Sequence, residues 1–594
     1  MADLYFSDDQ PTAAEAAAVE SVLGGERAVT VETERLVRAG TRRRQRLRHL
    51  LLPALHALQR EAGLISPGGL NHVCRQLQVP PAEAYGVATF YELFRVPEPG
   101  SDQAREGAGS VTHMCVDAPC RLQPDYEKRL AMLEQAGEAV HRSPCLGQCD
   151  APPGVFIQGR AEPDVVPQKA GRASQFATVQ VRDRLLNRVG GIDPTSIESH
   201  AEHGGWRALD AAYAMGADAV IQAVTDSGLS GRGGAAFPTG VKWAAVRDAV
   251  AGRGSQGGPP AKHIVANADE SEPGTFKDRV VMENDPFSII EAMAVAGYAT
   301  GADEGWIYIR GEYPLATDRI RTAIEQSMTA GRIGPDAPHP FTIEVRRGAG
   351  AYICGEETAL FNSIEGFRGE PRNKPPFPTT NGLFDQPTAI NNPETLLNVL
   401  PILLEGPDAY RAVGTDRSPG TRLFCLSGRV ARPGLYEMPF GVTLRQLLEL
   451  ADGVIDADGQ PAELQAVLLG GAAGVFADAA SLDVPLTLED TREAGLTMGS
   501  GVVMVFDASV DMADVCRRIA QFFRNESCGQ CVPCRVGAVR QHEMLVHIGS
   551  GPASAEQRSL HDEMNRAMVD AAICGLGHTA GSAVTSALNL GLIG

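Results

Sequence analysis

Residues 525–537 read NESCGQCVPCRVG, with Cys528, Cys531 and Cys534 at strict three-residue intervals. Three thiols this close are too cramped for separate disulfides yet well placed to converge on one point. In a C-x2-C-x2-C run each thiolate takes one iron of a cubane, and the fourth iron needs a ligand from elsewhere. Bacterial ferredoxin runs supply it after three more residues; here that position is Ala538. Cys574, in AAICGLGH, is the best remaining candidate, because small flexible residues frame it and permit close backbone approach. Cys516 falls inside an apolar helical pattern and reads as core. The run is read as a [4Fe–4S] site in preference to zinc.

The chain has 12 cysteines, and four more of them form a second group. Cys115 and Cys120 lie in CVDAPC, and Cys145 and Cys149 in CLGQC, giving C-x4-C and C-x3-C. Structural zinc usually prefers a C-x2-C knuckle, whereas two loops offering two thiolates each suit the opposed irons of a [2Fe–2S] cluster. Pro119 and Pro144 each precede one of these cysteines and stiffen its loop. His113 is read as an ordinary polar side chain, since four thiolates suffice.

At 594 residues, several domains are expected. A net charge of −20 repels phosphate backbones, so nucleic acid is not an expected partner. The basic patch RRRQRLRHL at 42–50 reads as a solvated helix face. The acidic opening MADLYFSDDQ does not resemble a signal peptide, and no apolar run is long enough to span a membrane. A cytoplasmic location with reduced thiols is therefore expected.

Hydrophobic periodicity divides the chain. Residues 1–40 are read as a loosely ordered extension, 41–100 as short helices, 101–165 as a small α/β module and 166–200 as a linker. Residues 201–418 form the largest α/β domain, with strand-like KHIVANADE, WIYIRGEY and FTIEVRRGAG. Residues 419–508 suggest a β-grasp-like insert, and 509–594 a helical bundle holding the cysteine run.

GLSGRGGAAFPTGVKW at 228–243 contains G-x-G-x-x-A, but a helical pattern precedes it where a dinucleotide fingerprint requires a strand. Its glycines still admit a phosphate or a flat ring, and Lys242 adds positive charge. NADESEPGTFKDR at 267–279 and GAYICGEETAL at 350–360 are similarly dense in polar groups beside glycine. Together with two iron–sulfur sites, these stretches suggest a flavin that splits hydride pairs into single electrons.

The motifs GRGGAAFPTGVKW, NADESEPGTFKD, GAGAYICGEETAL, NKPPFP, INNPETL and ESCGQCVPCR carry a family resemblance. Residues 45–160 resemble the thioredoxin-like [2Fe–2S] subunit of respiratory complex I, and residues 200–594 its NADH-binding flavoprotein subunit. The fusion is similar to the diaphorase (β) subunits of NAD-dependent, molybdenum- or tungsten-containing formate dehydrogenases and of NAD-reducing hydrogenases. The resemblance implies a multidomain α/β protein. Its parts would be a thioredoxin-like [2Fe–2S] domain with N-terminal helices, an FMN- and NADH-binding α/β domain, a β-grasp-like (SLBB-like) insert, and a C-terminal helical [4Fe–4S] bundle.

By the same resemblance, Gly231, Gly233, Gly234 and Lys242 would cradle the FMN phosphate and ring, and Asn267, Asp269 and Glu270 would bond its other edges. Gly355, Glu356 and Glu357 would lie near the isoalloxazine, with Glu357 orienting the nicotinamide. Asn391, Asn392 and Thr395 would bind the ribityl phosphate side, and Phe237, Glu272, Lys374 and Phe377 would contact NADH. Ala245 departs from complex I members, which place a second adenine-stacking aromatic there. The β-grasp-like segment is read as a structural spacer. The function implied is hydride exchange between NAD(H) and FMN, with single electrons passing through iron–sulfur clusters. The implied partner is a catalytic α subunit carrying molybdopterin and further iron–sulfur clusters, in a hetero-oligomer. The alternatives are a hydrogenase diaphorase, a fused complex I module and, in a different class, a non-catalytic iron–sulfur relay.

Overall fold

A computed structural model of the chain describes residues 6–24, 47–97, 109–136, 139–159, 175–177, 184–252, 260–549, 551 and 553–593. The segment expected to be a loose extension instead contains a helix, α1 (Ala13–Leu23). Thr12 and Glu15 close a capping box at its start, with the Thr12 amide donating to the Glu15 carboxylate at 2.8 Å. Val19 and Leu23 are fully buried, and α1 packs along α2 (Leu51–Ala62). AAEAAAVESVL has no sharp apolar stripe, so its periodicity gave no sign of the helix; the T-x-x-E cap was the usable signal. Residues 25–40 and most of the basic patch at 42–50 lie outside the described residues.

Two further helices, α3 (Pro67–Leu77) and α4 (Pro81–Ala88), complete the N-terminal helical region. Its last turn grips the largest domain: the Glu92 and Leu93 amides donate to Gly350 and Ala349 carbonyls at 3.0 and 2.9 Å. The next module is a three-stranded sheet ordered β2-β1-β3. Central β1 (Val111–Cys115) runs parallel to β2 (Ala139–Ser143) and antiparallel to β3 (Val155–Gln158).

The expected linker is partly built into the fold. β4 (Gln175–Ala177) adds a parallel strand beside β10 (Gly434–Pro439), and the amides of Arg184, Leu185 and Leu186 donate to the buried Glu437 carboxylate at 2.9–3.1 Å. Polar composition suggested a loose connection, but these residues satisfy their backbone through a remote acid.

The central domain carries a four-stranded, fully parallel sheet ordered β7-β6-β5-β8. Its strands are β5 (His263–Ala268), β6 (Glu304–Ile309), β7 (Thr342–Arg347) and β8 (Thr388–Asn391). Helix α5 (Thr239–Asp248) packs against β8, and α6 (Pro286–Thr300), buried along almost its whole circumference, packs on the sheet. Both faces of a parallel sheet must be covered, which explains the near-continuous apolar runs. β5 to β7 progress in one direction, whereas β8 returns to the other side of β5. This is a topological switch point, and ligands of such sheets bind outside the strands' carboxyl ends there.

A six-stranded sheet ordered β12-β11-β13-β9-β10-β4 follows. The β9 (Thr421–Gly428) and β10 hairpin, the helix Leu444–Leu450, β11 (Leu464–Leu469), β12 (Val475–Ala477) and β13 (Val502–Asp507), parallel to β9, give the expected β-grasp-like arrangement. The C-terminal bundle comprises α7 (Met512–Glu526), α8 (Val532–Ile548), α9 (Ala555–Ala571), α10 (Gly575–Thr579) and α11 (Ser582–Asn589). No helix among the described residues is long and apolar enough to cross a membrane.

Candidate functional site

The carboxyl ends of β5 and β8 open onto a cavity of about 450 Å³, within the usual range for a bound cofactor. Of the residues expected to hold FMN or NADH, Gly233, Gly234, Asn267, Asp269, Glu270, Glu272, Gly355, Glu356 and Asn392 line it. Glycine is favoured at two of these places. Gly234 has φ +117°, and a Cβ on Gly233 would meet Asn392 Cβ at 3.2 Å. The loop is closed on itself by the Gly231 amide, which donates to the Phe237 carbonyl at 2.9 Å.

Three other expected residues brace this loop rather than line the cavity. The Arg232 amide donates to Thr395 Oγ1 at 2.8 Å, Trp243 Nε1 donates to Asn391 Oδ1 at 3.0 Å, and Lys242 Nζ donates to the Ile390 carbonyl at 2.8 Å. The lysine that does line the cavity is Lys277, at the start of the helix Lys277–Asn284. It bonds Asn392 Oδ1 and Asp278 Oδ1 at 2.9 Å and pairs with Glu394 at 3.0 Å. Lys277 was legible only as a charge within NADESEPGTFKDR; the turn after β5 folds it back inward.

Phe237, Glu357, Lys374 and Phe377 do not line the cavity. Phe237 and Phe377 are 50% and 58% exposed, large apolar faces left open to solvent. Lys374 Nζ bridges Glu356 and Glu357 at 2.8 and 2.6 Å. Glu356 also caps the helix Glu357–Ile364, accepting from the Thr358 and Ala359 amides at 2.8 and 2.9 Å.

The insert read as a spacer proves to be a cavity wall. Gly470, Ala473, Thr497, Gly499 and Ser500 line the cavity, the Ala473 amide donates to Glu272 Oε1 at 2.8 Å, and the Thr275 and Ser500 hydroxyls lie 3.0 Å apart. Their loops carry no motif, and only the packing of two domains brings them to the site.

The cavity wall is rich in acids whose protons burial holds more tightly than water does. Burial pushes Glu270 up to about 8, with the neighbouring Asp278 charge adding to it. Burial also raises Asp269 well above the carboxylate range. Glu272 is raised by burial to about 7, although the Tyr352 hydroxyl and the Ala473 amide both donate to it. Protonated carboxyls can donate hydrogen bonds to ring carbonyls without placing full negative charge beside an electron-rich ring.

These acids also couple folding to pH. Glu270 and Glu272 hold protons more tightly folded than unfolded, so the folded chain binds more protons between about 4.5 and their folded values, and stability falls as pH rises through that window. Buried histidines such as His263 act oppositely, but only below their unfolded value of 6.5. The flavin-free chain is therefore expected to melt at a lower temperature at about pH 8.5 than at pH 6.5 by scanning calorimetry, and the double variant Glu270→Gln, Glu272→Gln should flatten that slope.

The two cysteine groups each converge. Cys145 Sγ lies 3.5 Å from Cys149 Sγ, and Cys115 is within hydrogen-bonding reach of both Cys120 and Cys145. The Gly147 and Gly154 amides donate to Cys145 and Cys120 sulfurs at 3.4 and 3.2 Å, as amides do around iron–sulfur centres. His113 turns away to Ser143 Oγ at 2.8 Å. In the bundle, Cys574 caps α10 and approaches Cys528, while Gly577 on the same turn packs against Cys534. Cys516 is buried in α7, as expected of a core residue. Among the described residues no three His, Cys, Asp or Glu side chains close on a single ion.

A parallel-sheet domain with a glycine-cradled cavity, flanked by two cysteine groups of cluster spacing, defines the chain as an FMN-binding iron–sulfur oxidoreductase. Family models agree segment by segment: the Nuo51 FMN-binding domain matches residues 224–401, the NADH-ubiquinone oxidoreductase-F iron-sulfur binding region 514–590, and the thioredoxin-like [2Fe-2S] ferredoxin 37–173. An F-type NADH-quinone oxidoreductase chain of Rhizobium meliloti (strain 1021) is 41% identical over 409 residues, covering 68% of this chain and 94% of the relative. The HndC component of the NADP-reducing hydrogenase of Solidesulfovibrio fructosivorans is 39% identical, covering 67% and 80%. A chain in the crystal structure of an air-oxidised NAD⁺-reducing [NiFe]-hydrogenase is 31% identical, covers 92% of this chain and 93% of its own length, and gives a TM-score of 0.76. The chain belongs to the family of F-type NADH-quinone oxidoreductase chains, carried here behind a thioredoxin-like [2Fe–2S] domain.

Proposed function

We propose that this chain is the NAD(H)-facing diaphorase subunit of an NAD-dependent formate dehydrogenase, joined in a cytoplasmic hetero-oligomer to a catalytic subunit carrying molybdopterin. The observation that carries the diaphorase reading is that Gly575 and Leu576, directly after Cys574, line the same cavity as Gly233 and Gly234. A flavin held there would lie beside the segment that would ligate the [4Fe–4S] cluster. In this reading Cys528, Cys531, Cys534 and Cys574 ligate that cluster, and Cys115, Cys120, Cys145 and Cys149 ligate the [2Fe–2S] centre.

When bound, FMN supplies the conversion between a hydride pair and single electrons. The chain supplies position. The glycine loop lets the backbone approach the ring and phosphate, and Lys277 with Asn392 places fixed polarity at the cavity floor. The exposed faces of Phe237 and Phe377 would stack on the adenine of NAD(H), Lys374 would contact the dinucleotide, and Glu357 would orient the nicotinamide. Glu357→Gln removes a charged hydrogen-bonding group, a change of about 1.5–3 kcal/mol, so NADH oxidation is expected to slow by roughly ten- to a hundredfold while FMN content stays at wild-type level. Turnover equal to wild type would remove Glu357 from the site.

The formate reading is supported by the likeness of GAGAYICGEETAL through NNPETL to that group of diaphorases. A hydrogenase partner is the second reading, favoured by the full-length likeness to a chain of a NAD⁺-reducing hydrogenase. The deciding experiment isolates the tagged complex without oxygen and compares NAD⁺ reduction driven by formate with that driven by hydrogen. Formate-dependent activity lost on stripping the partner is the expected result; hydrogen-dependent activity would replace it with the second reading.

A further inference from the structure

We propose that Arg310 is a positioning residue that sets the reduction potential of the [2Fe–2S] centre relative to the flavin, through a fixed positive charge held between the two sites. The inference rests on the reading of Cys145 as a ligand of that centre. Arg310 directly follows β6 and is 3% exposed. Its Nη1 donates to the Glu270 carbonyl at 2.8 Å, and its Nη2 donates to the Cys145 carbonyl at 2.6 Å and to Glu312 Oε1 at 2.7 Å. One guanidinium thus ties the backbone of a cavity-lining residue to that of a cluster cysteine. The Tyr313 ring lies 5.1 Å beneath it, and the nearby Gly274 amide points at Cys145 from the same turn that carries Glu272.

A link made only for packing would not need a charge, and isolating one from water is costly. Here the charge has a use. Taking up one electron makes the cluster more negative by one unit and breaks no bond, so a cation that cannot lose its proton, placed beside a ligand in a water-poor interior, favours the reduced state. Glu312 offsets part of that effect. Burial alone would neutralise the Glu312 carboxyl, but Arg310 holds it below the usual range and ionised. The two side chains therefore act on the cluster with opposite sign.

That opposition separates an electrostatic role from a structural one. In the purified complex, EPR-monitored redox titration of Arg310→Gln is expected to move the [2Fe–2S] midpoint negative, lowering the reduced-to-oxidised ratio at the wild-type midpoint about tenfold, which is about 59 mV for one electron. Glu312→Gln is expected to move it positive, and the [4Fe–4S] midpoint should hold in both. Equal midpoints, or shifts of the same sign, would overturn the proposal. If Arg310→Gln does not assemble, Glu312→Gln decides alone, since any shift other than positive counts against it. Cys145→Ser serves as the control: an unaltered [2Fe–2S] signal would overturn the ligand reading and this inference together, whereas an altered signal beside unmoved midpoints would overturn the Arg310 role alone.

Discussion

Cys574→Ala is expected to abolish the EPR signal of the reduced [4Fe–4S] cluster and to cut electron delivery to the partner by orders of magnitude, while NADH still reduces bound flavin. On the proposed ligand set, the C-x2-C-x2-C run would still secure three irons and the fourth would be left without a protein ligand. A three-iron species visible in the oxidised sample is the expected remnant. The geometry gives this variant a clean reading. Cys574 stands at the start of α10, near Cys528, and its substitution leaves the Cys531 and Cys534 turn of α8 intact. Because Gly575 and Leu576 line the flavin cavity, the same variant tests whether this cluster is the exit. An unchanged cubane signal would mean that the fourth ligand is another residue, and full electron delivery without the signal would mean that electrons leave elsewhere.

Covalent spacing and period-2 patterns made part of this protein legible in its sequence. Cysteine intervals are local and chemical, so both groups stand out before any fold is known, and the structure brings the remote Cys574 near Cys528. KHIVANADE and WIYIRGEY became β5 and β6, apolar on both faces as central parallel strands must be, while FTIEVRRGAG became β7, an edge strand whose burial alternates along its length. What stayed hidden depends on distance in sequence. Lys242 and Lys277 look alike as isolated charges; the turn after β5 sends Lys277 inward, while α5 points Lys242 at a carbonyl of β8. Gly499 and Ser500 carry no motif and reach the cavity only because the β-grasp-like sheet packs against the turn after β5. Arg310 follows an obvious strand, but its value as a bridge needs Cys145, which lies 165 residues away in the chain.

The glycine cradle yields the second large effect. Gly234→Val is expected to leave the purified chain with less than a tenth of its FMN, measured as flavin released by acid per polypeptide, while both iron–sulfur EPR signals remain. Two costs arise. At φ +117° a β-branched residue is strained by about 1–3 kcal/mol. Its side chain would also occupy the space between the loop and Gly499, whose carbonyl carbon lies 3.7 Å from the nearest Cβ position, so the ring and the new methyls compete for one volume. The strain burdens the folded loop with or without flavin, so the loss of FMN comes from the steric cost, and each 1.4 kcal/mol of it is about a factor of ten in affinity. The clusters are held by other segments, in the thioredoxin-like module and the C-terminal bundle, so their survival shows that the chain has folded. Full flavin occupancy in Gly234→Val would mean that FMN does not rest on this loop. The cavity between β5 and β8 would then have to be reassigned, whatever the cysteines bind.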